Sequence, residues 1–246
     1  MSWIKNEINY LRLYFLNRKN YSNNFGRAVP FLHTSVWYFP WRSSLKAGRS
    51  PVADRVPWVV FGAKEYISRS IKQGSKVFEY GMGGSTLFFL DSGCTVISVE
   101  HNSEWGDKLS STIGKNSNWT GIVVPPSKTL ADTSSIRYSS KFPGYENFDF
   151  REYVEVIQNY NDKSLDLVMV DGRARSAAIQ LAASKVIPGG LIVLDNAERP
   201  RYAEAINFLF TQGWKLTRCF GPGPYVAHEF WDTLLLEKPH FGNTKA

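Results

Sequence analysis

With 246 residues, of which 43% are hydrophobic, 15% aromatic and 21% charged, the chain is too long for a disulfide miniprotein and has the apolar content of one large folded domain. That composition excludes a disordered chain, and no window approaches the roughly 18 uninterrupted apolar residues of a spanning helix. The opening run Met1-Ser2-Trp3-Ile4-Lys5-Asn6-Glu7 lacks the apolar core of a signal peptide, so a cytoplasmic protein is expected, with Cys94 and Cys219 as reduced thiols rather than a bridge.

The net charge of +7 is localised. Residues 1–55 hold nine Lys/Arg against two acids, Glu7 and Asp54, whereas residues 56–246 hold twenty of each sign. The same opening segment carries eleven aromatics, so it is read as an accessory segment of residues 1–55 before a core of residues 56–246. Either its aromatics cap the core and its basic groups are solvated, or it meets an anionic partner. A helix is expected over 3–18. Ile4, Ile8, Leu11 and Phe15 recur at spacings of four, three and four, which places them on one side, with Arg12 and Arg18 left to face water or an anion. The partner of that face is the core by default; a second subunit or a lipid interface is the alternative.

From residue 56 strand-like and helix-like segments alternate, the pattern of a parallel sheet covered by helices. Pro57 and the spacing of Ala63, Ile67 and Ile71 suggest a helix over 57–73, ended by Gly74. Strands follow at 76–81 and 94–100, separated by a short helix at 85–90, then a helix at 103–113 and a strand near 121–124. The polar stretch 125–147 is long enough for a lid or binding segment. A helix at 150–160 leads to the apolar run 165–172, which fits a central strand buried on both faces. The remaining elements are a helix at 174–186, a turn at 188–190, a strand at 191–196, a helix at 200–211, and strands at 214–220 and 231–237.

Chemistry concentrates after the first strand, in Glu79-Tyr80-Gly81-Met82-Gly83-Gly84-Ser85-Thr86. Its glycines permit a tight strand-to-helix turn and close backbone approach to a ligand. Thr86 stands where a dinucleotide fingerprint needs glycine or alanine, which weighs against NAD. Glu100 closes the second strand, placed to hold two ribose hydroxyls.

Glu79, Gly81, Gly83 and Glu100 make the chain resemble the class I S-adenosylmethionine-dependent methyltransferases over roughly residues 57–237. The resemblance implies a Rossmann-like α/β sheet of seven strands in the order 3-2-1-4-5-7-6, the last two forming a hairpin. It implies S-adenosylmethionine as cofactor, held by Glu79, Gly81, Gly83, Gly84, Ser85, Thr86 and Glu100. His101 either lies on the adenine or is a surface histidine.

Asp171 ends the fourth strand and Asp195-Asn196 the fifth. Adjacent strands lie about 4.8 Å apart, so these groups can converge into a hard-cation site for Mg²⁺ or a similar ion. The set is similar to the metal site of the catechol and caffeoyl-coenzyme A O-methyltransferases, with one departure: position 174, where those families carry a candidate lysine base, is alanine. The competing reading makes Asp171-Gly172 a turn and Asp195-Asn196 a helix cap. Arg173, Arg175, Arg199 and Arg201 follow the same strand ends and suggest an anionic acceptor; solvation, or pairing with Asp171 and Glu198, is the alternative. Asp171 and His228 are the candidate general bases. The expected activity is O-methylation of a small or sugar-like acceptor, metal-assisted if the cation site forms. Nucleic-acid methylation is the enzyme alternative, though the chain lacks an Asn/Asp-Pro-Pro-Tyr/Phe motif for a flipped base. A non-catalytic adenosine-ligand module is the alternative of another class.

Overall fold

Alternation along the central strands sets the architecture. In β1 (Lys76–Tyr80) Val77 faces one apolar cluster and Phe78 and Tyr80 the other, and in β4 (Leu165–Val170) Leu167 and Met169 oppose Leu165, Val168 and Val170. A strand whose both faces are apolar must be covered on both sides. In the computed structural model, which describes residues 2–25, 36–128 and 138–240, β1 and β4 pair in parallel at the centre of a seven-stranded sheet ordered 3-2-1-4-5-7-6. The expected order is therefore present.

The other strands are β2 (Thr95–Glu100), β3 (Trp119–Val123), β5 (Val186–Asp195), β6 (Lys215–Gly221) and β7 (Trp231–Glu237). Strands β3, β2, β1, β4 and β5 run parallel, and β7 pairs antiparallel with both β5 and β6. The turn expected at 188–190 is a bulge inside β5: Leu165 pairs with Val186 and Leu167 already with Leu191. The extra residues are absorbed without ending the strand.

Helices α1 (Ser2–Phe25), α2 (Tyr38–Ser44) and α3 (Pro51–Asp54) precede the sheet; α4 (Phe61–Ser70), α5 (Gly84–Asp91) and α6 (Ser103–Ile113) flank the first strands. On the opposite face α7 (Arg151–Glu155), continued by a 3₁₀ turn to Asn159, α8 (Arg175–Lys185) and α9 (Ala203–Thr211) contribute Tyr153, Val154, Ala177, Ala178, Ala182 and Leu209 to the core.

Two expectations near the amino terminus are corrected. The helix read over 57–73 covers only Phe61–Ser70. Val59 and Val60 are buried in a bend before it, and the Phe61 N–H donates to the Pro222 carbonyl at 3.0 Å; burying two successive valines in the core overrode the helix-start signal of Pro57. The face of α1 that should pack inward faces outward. Ile4, Ile8, Leu11 and Phe15 are about half exposed, while Tyr10 and Tyr14 are buried with Trp41, Phe61 and Phe230. Aromatic area decided the docking: Tyr10 meets Tyr38, Trp41 and Phe230 at ring-centroid distances of 5.3, 4.6 and 5.1 Å. The side chain of Arg18 lies outside the described residues. Cys94 and Cys219 are free, and burial pushes both thiols up to about 11.

Candidate active site

Strand order reverses between β1 and β4, and their carboxyl ends open the crevice where ligands of such sheets bind. The turn after β1 crosses it. Gly81 has φ +97°, a conformation side chains rarely adopt, and its missing Cβ would touch Gly172 at 3.5 Å, where β4 ends. Gly83 has nothing within 4 Å of an added Cβ and borders a cavity of about 630 Å³.

Glu79 stands beneath this turn and does not line the cavity. Its carboxylate is fully buried and accepts hydrogen bonds from Ser85 (2.7 Å), Ser98 (2.6 Å) and Thr86, while the Gly83 N–H donates to the Thr86 hydroxyl at 3.0 Å. Glu79 and Thr86 thus fasten the turn rather than face a ligand. Burial pushes the Glu79 carboxyl up to about 7, against the opposing pull of the three hydroxyls.

Glu100 lines the cavity. Its Oε1 accepts from the backbone N–H groups of His101 (2.9 Å) and Asn102 (2.8 Å), and its Oε2 from the Met82 N–H (3.1 Å). Burial works to raise this carboxyl, but the hydrogen bonds from His101, Asn102 and Met82 hold it below the usual carboxylate range, so it is anionic. Oε2, with one donor, keeps capacity for another. His101 also lines the cavity. The Arg173 Nε–H donates to its Nε2 at 3.3 Å, and its Nδ1 lies 2.7 Å from Glu100 Oε1.

Several walls of the cavity escaped the sequence reading. Trp105, Lys108, Leu109 and Thr112 lie along one side of α6, Ser50, Pro51, Val52 and Ala53 come from the amino-terminal segment, and Trp58 from the stretch just after it. The spacing 105, 108, 109, 112 on the helix that follows Glu100 was an available signal; nothing local to residues 50–58 marked them. Trp105 donates its indole N–H to the Met82 carbonyl at 2.7 Å, tying α6 to the turn.

A second cavity of about 480 Å³ adjoins the first, and Gly172 and Arg173 line both. Lys141, Arg173, Arg175, Arg199 and Arg201 border it, with Glu204 the one acid among the described residues that line it. Ser139, Ser140 and Phe142 bring the expected binding segment to its wall; residues 129–137 of that segment lie outside the described residues. Arg173 stacks on Phe142, its guanidinium 3.7 Å from the ring centroid.

The four arginines do not share one role. All five N–H donors of Arg175 are engaged: Nε with the Gly172 carbonyl (3.0 Å), one terminal nitrogen with the Asp171 carbonyl (2.8 Å) and Oδ1 (2.7 Å), the other with the Asp195 carbonyl and, at 3.5 Å, Asn196 Oδ1. Arg175 is a buried pin between two strand ends, with no donor left for an acceptor. Arg199 lies 3.8 Å from Glu198, and Arg201 donates to the Tyr202 hydroxyl at 3.0 Å; both remain at the cavity wall.

The three proposed cation ligands do not fit a metal. Asp195 Oδ1 accepts from the Trp231 indole (2.9 Å) and the Thr233 hydroxyl (2.7 Å), anchoring β7, and Asp195 borders neither cavity. Asn196 stands at φ +50° with its Oδ1 toward Arg175. The guanidinium is already the cation between Asp171 and Asn196, and among the described residues no group of three or more His, Cys, Asp or Glu gathers to hold an ion. Burial pushes the Asp195 carboxyl up to about 7, and it also raises Asp171, where the charges of Arg175, Arg199 and Arg173 pull the other way. Asp171 borders the first cavity beside Gly172, with a third of its side chain exposed.

His228 is not part of this assembly. It is largely exposed beside Glu229 at 3.9 Å and borders neither cavity. The β6–β7 connection does reach the carboxyl edge, but the amino-terminal segment takes it up: Trp41 donates to the Val226 carbonyl at 2.8 Å, and the Tyr225 hydroxyl to Asp54 at 2.7 Å.

No protein-family model matches the chain, and no curated protein sequence does. Solved structures are similar in fold. A methyltransferase from Geobacter sulfurreducens is 12% identical, with a TM-score of 0.50 over 82% of this chain and 96% of that one. A SAM-dependent O-methyltransferase from Thermotoga maritima is 14% identical (TM-score 0.46, 77% and 69% covered), and Aeropyrum pernix fibrillarin with bound S-adenosyl-L-methionine is 11% identical (TM-score 0.45, 68% of each). At 12% identity the first of these likenesses shows the fold alone, a seven-stranded, Rossmann-like sheet.

Proposed function

We propose that the chain transfers the methyl group of S-adenosylmethionine to an oxygen of a small anionic acceptor. The observation that carries this reading is the junction of the two cavities at Gly172 and Arg173. One cavity is built on the glycine turn and an anionic Glu100, the other on cationic side chains, so donor and acceptor would meet at the end of β4.

The first cavity fits the cofactor by its chemistry. About 630 Å³ is ample for a nucleoside ligand. Glu100 would accept from ribose hydroxyls, Gly81 to Gly84 would lie against the methionine portion, and Trp105 and Leu109 supply apolar wall. When bound, the cofactor supplies an electrophilic methyl carbon whose carbon–sulfur bond breaks as the acceptor oxygen bonds to it. The protein's part is alignment and proton removal. Asp171 is the group for the proton: its carboxyl is raised by burial, which strengthens it as a base, and Arg175 fixes its position. Arg199, Arg201 and Lys141 would hold the acceptor's charge. A divalent ion has no place in this scheme, because Arg175 fills that position.

The test is transfer of labelled methyl from S-adenosylmethionine to paired acceptors, one bearing a carboxylate, sulfate or phosphate and the other its neutral analogue. Preference for the anionic member that disappears in Arg199→Ala/Arg201→Ala, with cofactor affinity unchanged, supports the reading. Equal use of both members refutes the anionic assignment.

A further inference from the structure

Among the described residues the outward face of α1 is apolar and about half exposed, and Lys5 and Arg12 border it. Ile4, Ile8, Leu11 and Phe15 are 47, 59, 50 and 61% exposed. They form a stripe about three turns long. Tyr10 and Tyr14, on another side of the helix, anchor it to Trp41 and Phe230, so the stripe is presented by a docked helix. Lys5 and Arg12 are exposed, one helical step beyond the stripe.

Charge decides what covers it. Of the two acids in residues 1–55, Glu7 is paired with Arg42 at 3.0 Å and accepts from the Tyr38 hydroxyl, and Asp54 is paired with Arg49 at 2.9 Å. The segment's nine basic residues therefore outnumber its acids, and both acids are engaged within the segment. Two copies meeting stripe to stripe would gather Lys5 and Arg12 of both at one contact, while both acids of residues 1–55 are already paired. No helix of the described residues is long and apolar enough to cross a membrane. An apolar stripe flanked by Lys and Arg instead suits a helix lying in the plane of an anionic bilayer surface, with two signals acting together, apolar insertion and electrostatic attraction.

We propose that α1 binds the surface of anionic membranes through Ile4, Ile8, Leu11 and Phe15, assisted by Lys5 and Arg12. The inference is independent of the methyl-transfer reading, because none of these residues borders either cavity.

The experiment is co-sedimentation of the full-length protein with phosphatidylcholine vesicles and with mixed phosphatidylcholine–phosphatidylserine vesicles, at low and high salt. Binding is expected to the mixed vesicles only, and to fall as salt rises. Ile8→Asp/Leu11→Asp and Lys5→Glu/Arg12→Glu should each weaken it by about tenfold or more, with melting temperature and the far-UV circular dichroism spectrum retained as proof of folding. If the wild-type protein ignores both vesicles, or either double variant binds as it does, the proposal is overturned. A wild-type dimer that Ile8→Asp/Leu11→Asp converts to monomer, with no vesicle binding, overturns it in favour of a second copy.

Discussion

Gly84 and Pro51 approach so closely that a Cβ on Gly84 would lie 2.3 Å from the Pro51 carbonyl oxygen, and 2.2 Å from that of Val56. The last glycine of the turn thus admits the amino-terminal segment, which continues as a wall of the first cavity, whereas Gly83 borders the cavity with nothing around its missing Cβ. The two neighbours predict opposite outcomes. Gly84→Ala should cost on the order of 1–3 kcal/mol in stability by overpacking against backbone, read as a lowered denaturation midpoint. Gly83→Ala should leave the midpoint unchanged and weaken S-adenosylhomocysteine binding, because its methyl enters ligand space.

Arg175 is expected to be structural before it is anything else. Arg175→Met leaves the Asp171 carboxylate and three carbonyls without their donor, a loss of about 3–5 kcal/mol for a broken buried pair. Arg175→Lys should rescue little, since three donors on one ammonium cannot reproduce a five-donor fork. Urea denaturation of both variants checks this, and wild-type turnover should be the same in chelator and in Mg²⁺.

Asp171→Asn should lower kcat by about 10²–10⁴, the usual worth of a positioned base, with S-adenosylhomocysteine affinity altered little. A kcat within a few-fold of wild type would move the proton-removal step to another group.

Glu79 gives stability a pH dependence of defined sign. Its carboxyl is raised from 4.5 to about 7 in the folded chain, so the folded state binds the proton more tightly than the unfolded one. The associated stability is full below pH 4.5 and is lost as pH rises through about 7, by roughly 3 kcal/mol at most. Glu79→Gln should gain relative to wild type over that window, as thermal melts at successive pH values would report.

The sheet was legible because its strands are short apolar runs with period-two alternation, and the order followed from the methyltransferase resemblance. Glu100 and the glycine turn were legible through their interval. The remainder depended on contacts distant in sequence. Nothing near Arg175 says that five acceptors from two strand ends will surround it, so the sequence leaves a cation site and a substrate arginine beside the alternative of pairing with Asp171, and the pair is what stands there. Likewise the stripe of α1 was the stronger helical pattern, yet the ring contacts of Tyr10 with Trp41 and with Phe230, the latter far along the chain, chose the docked face. Residues 50–58 reached the cavity only because Gly84 leaves room for them.

The most direct test of the central claim is calorimetric titration of the wild-type protein and Glu100→Ala with S-adenosylhomocysteine, with NAD as the competing nucleotide. The account predicts that the wild type binds S-adenosylhomocysteine and not NAD. Glu100→Ala should lose on the order of 1.5–3 kcal/mol of that binding through its charge-assisted hydrogen bonds. Tight binding of NAD with no binding of S-adenosylhomocysteine would contradict it.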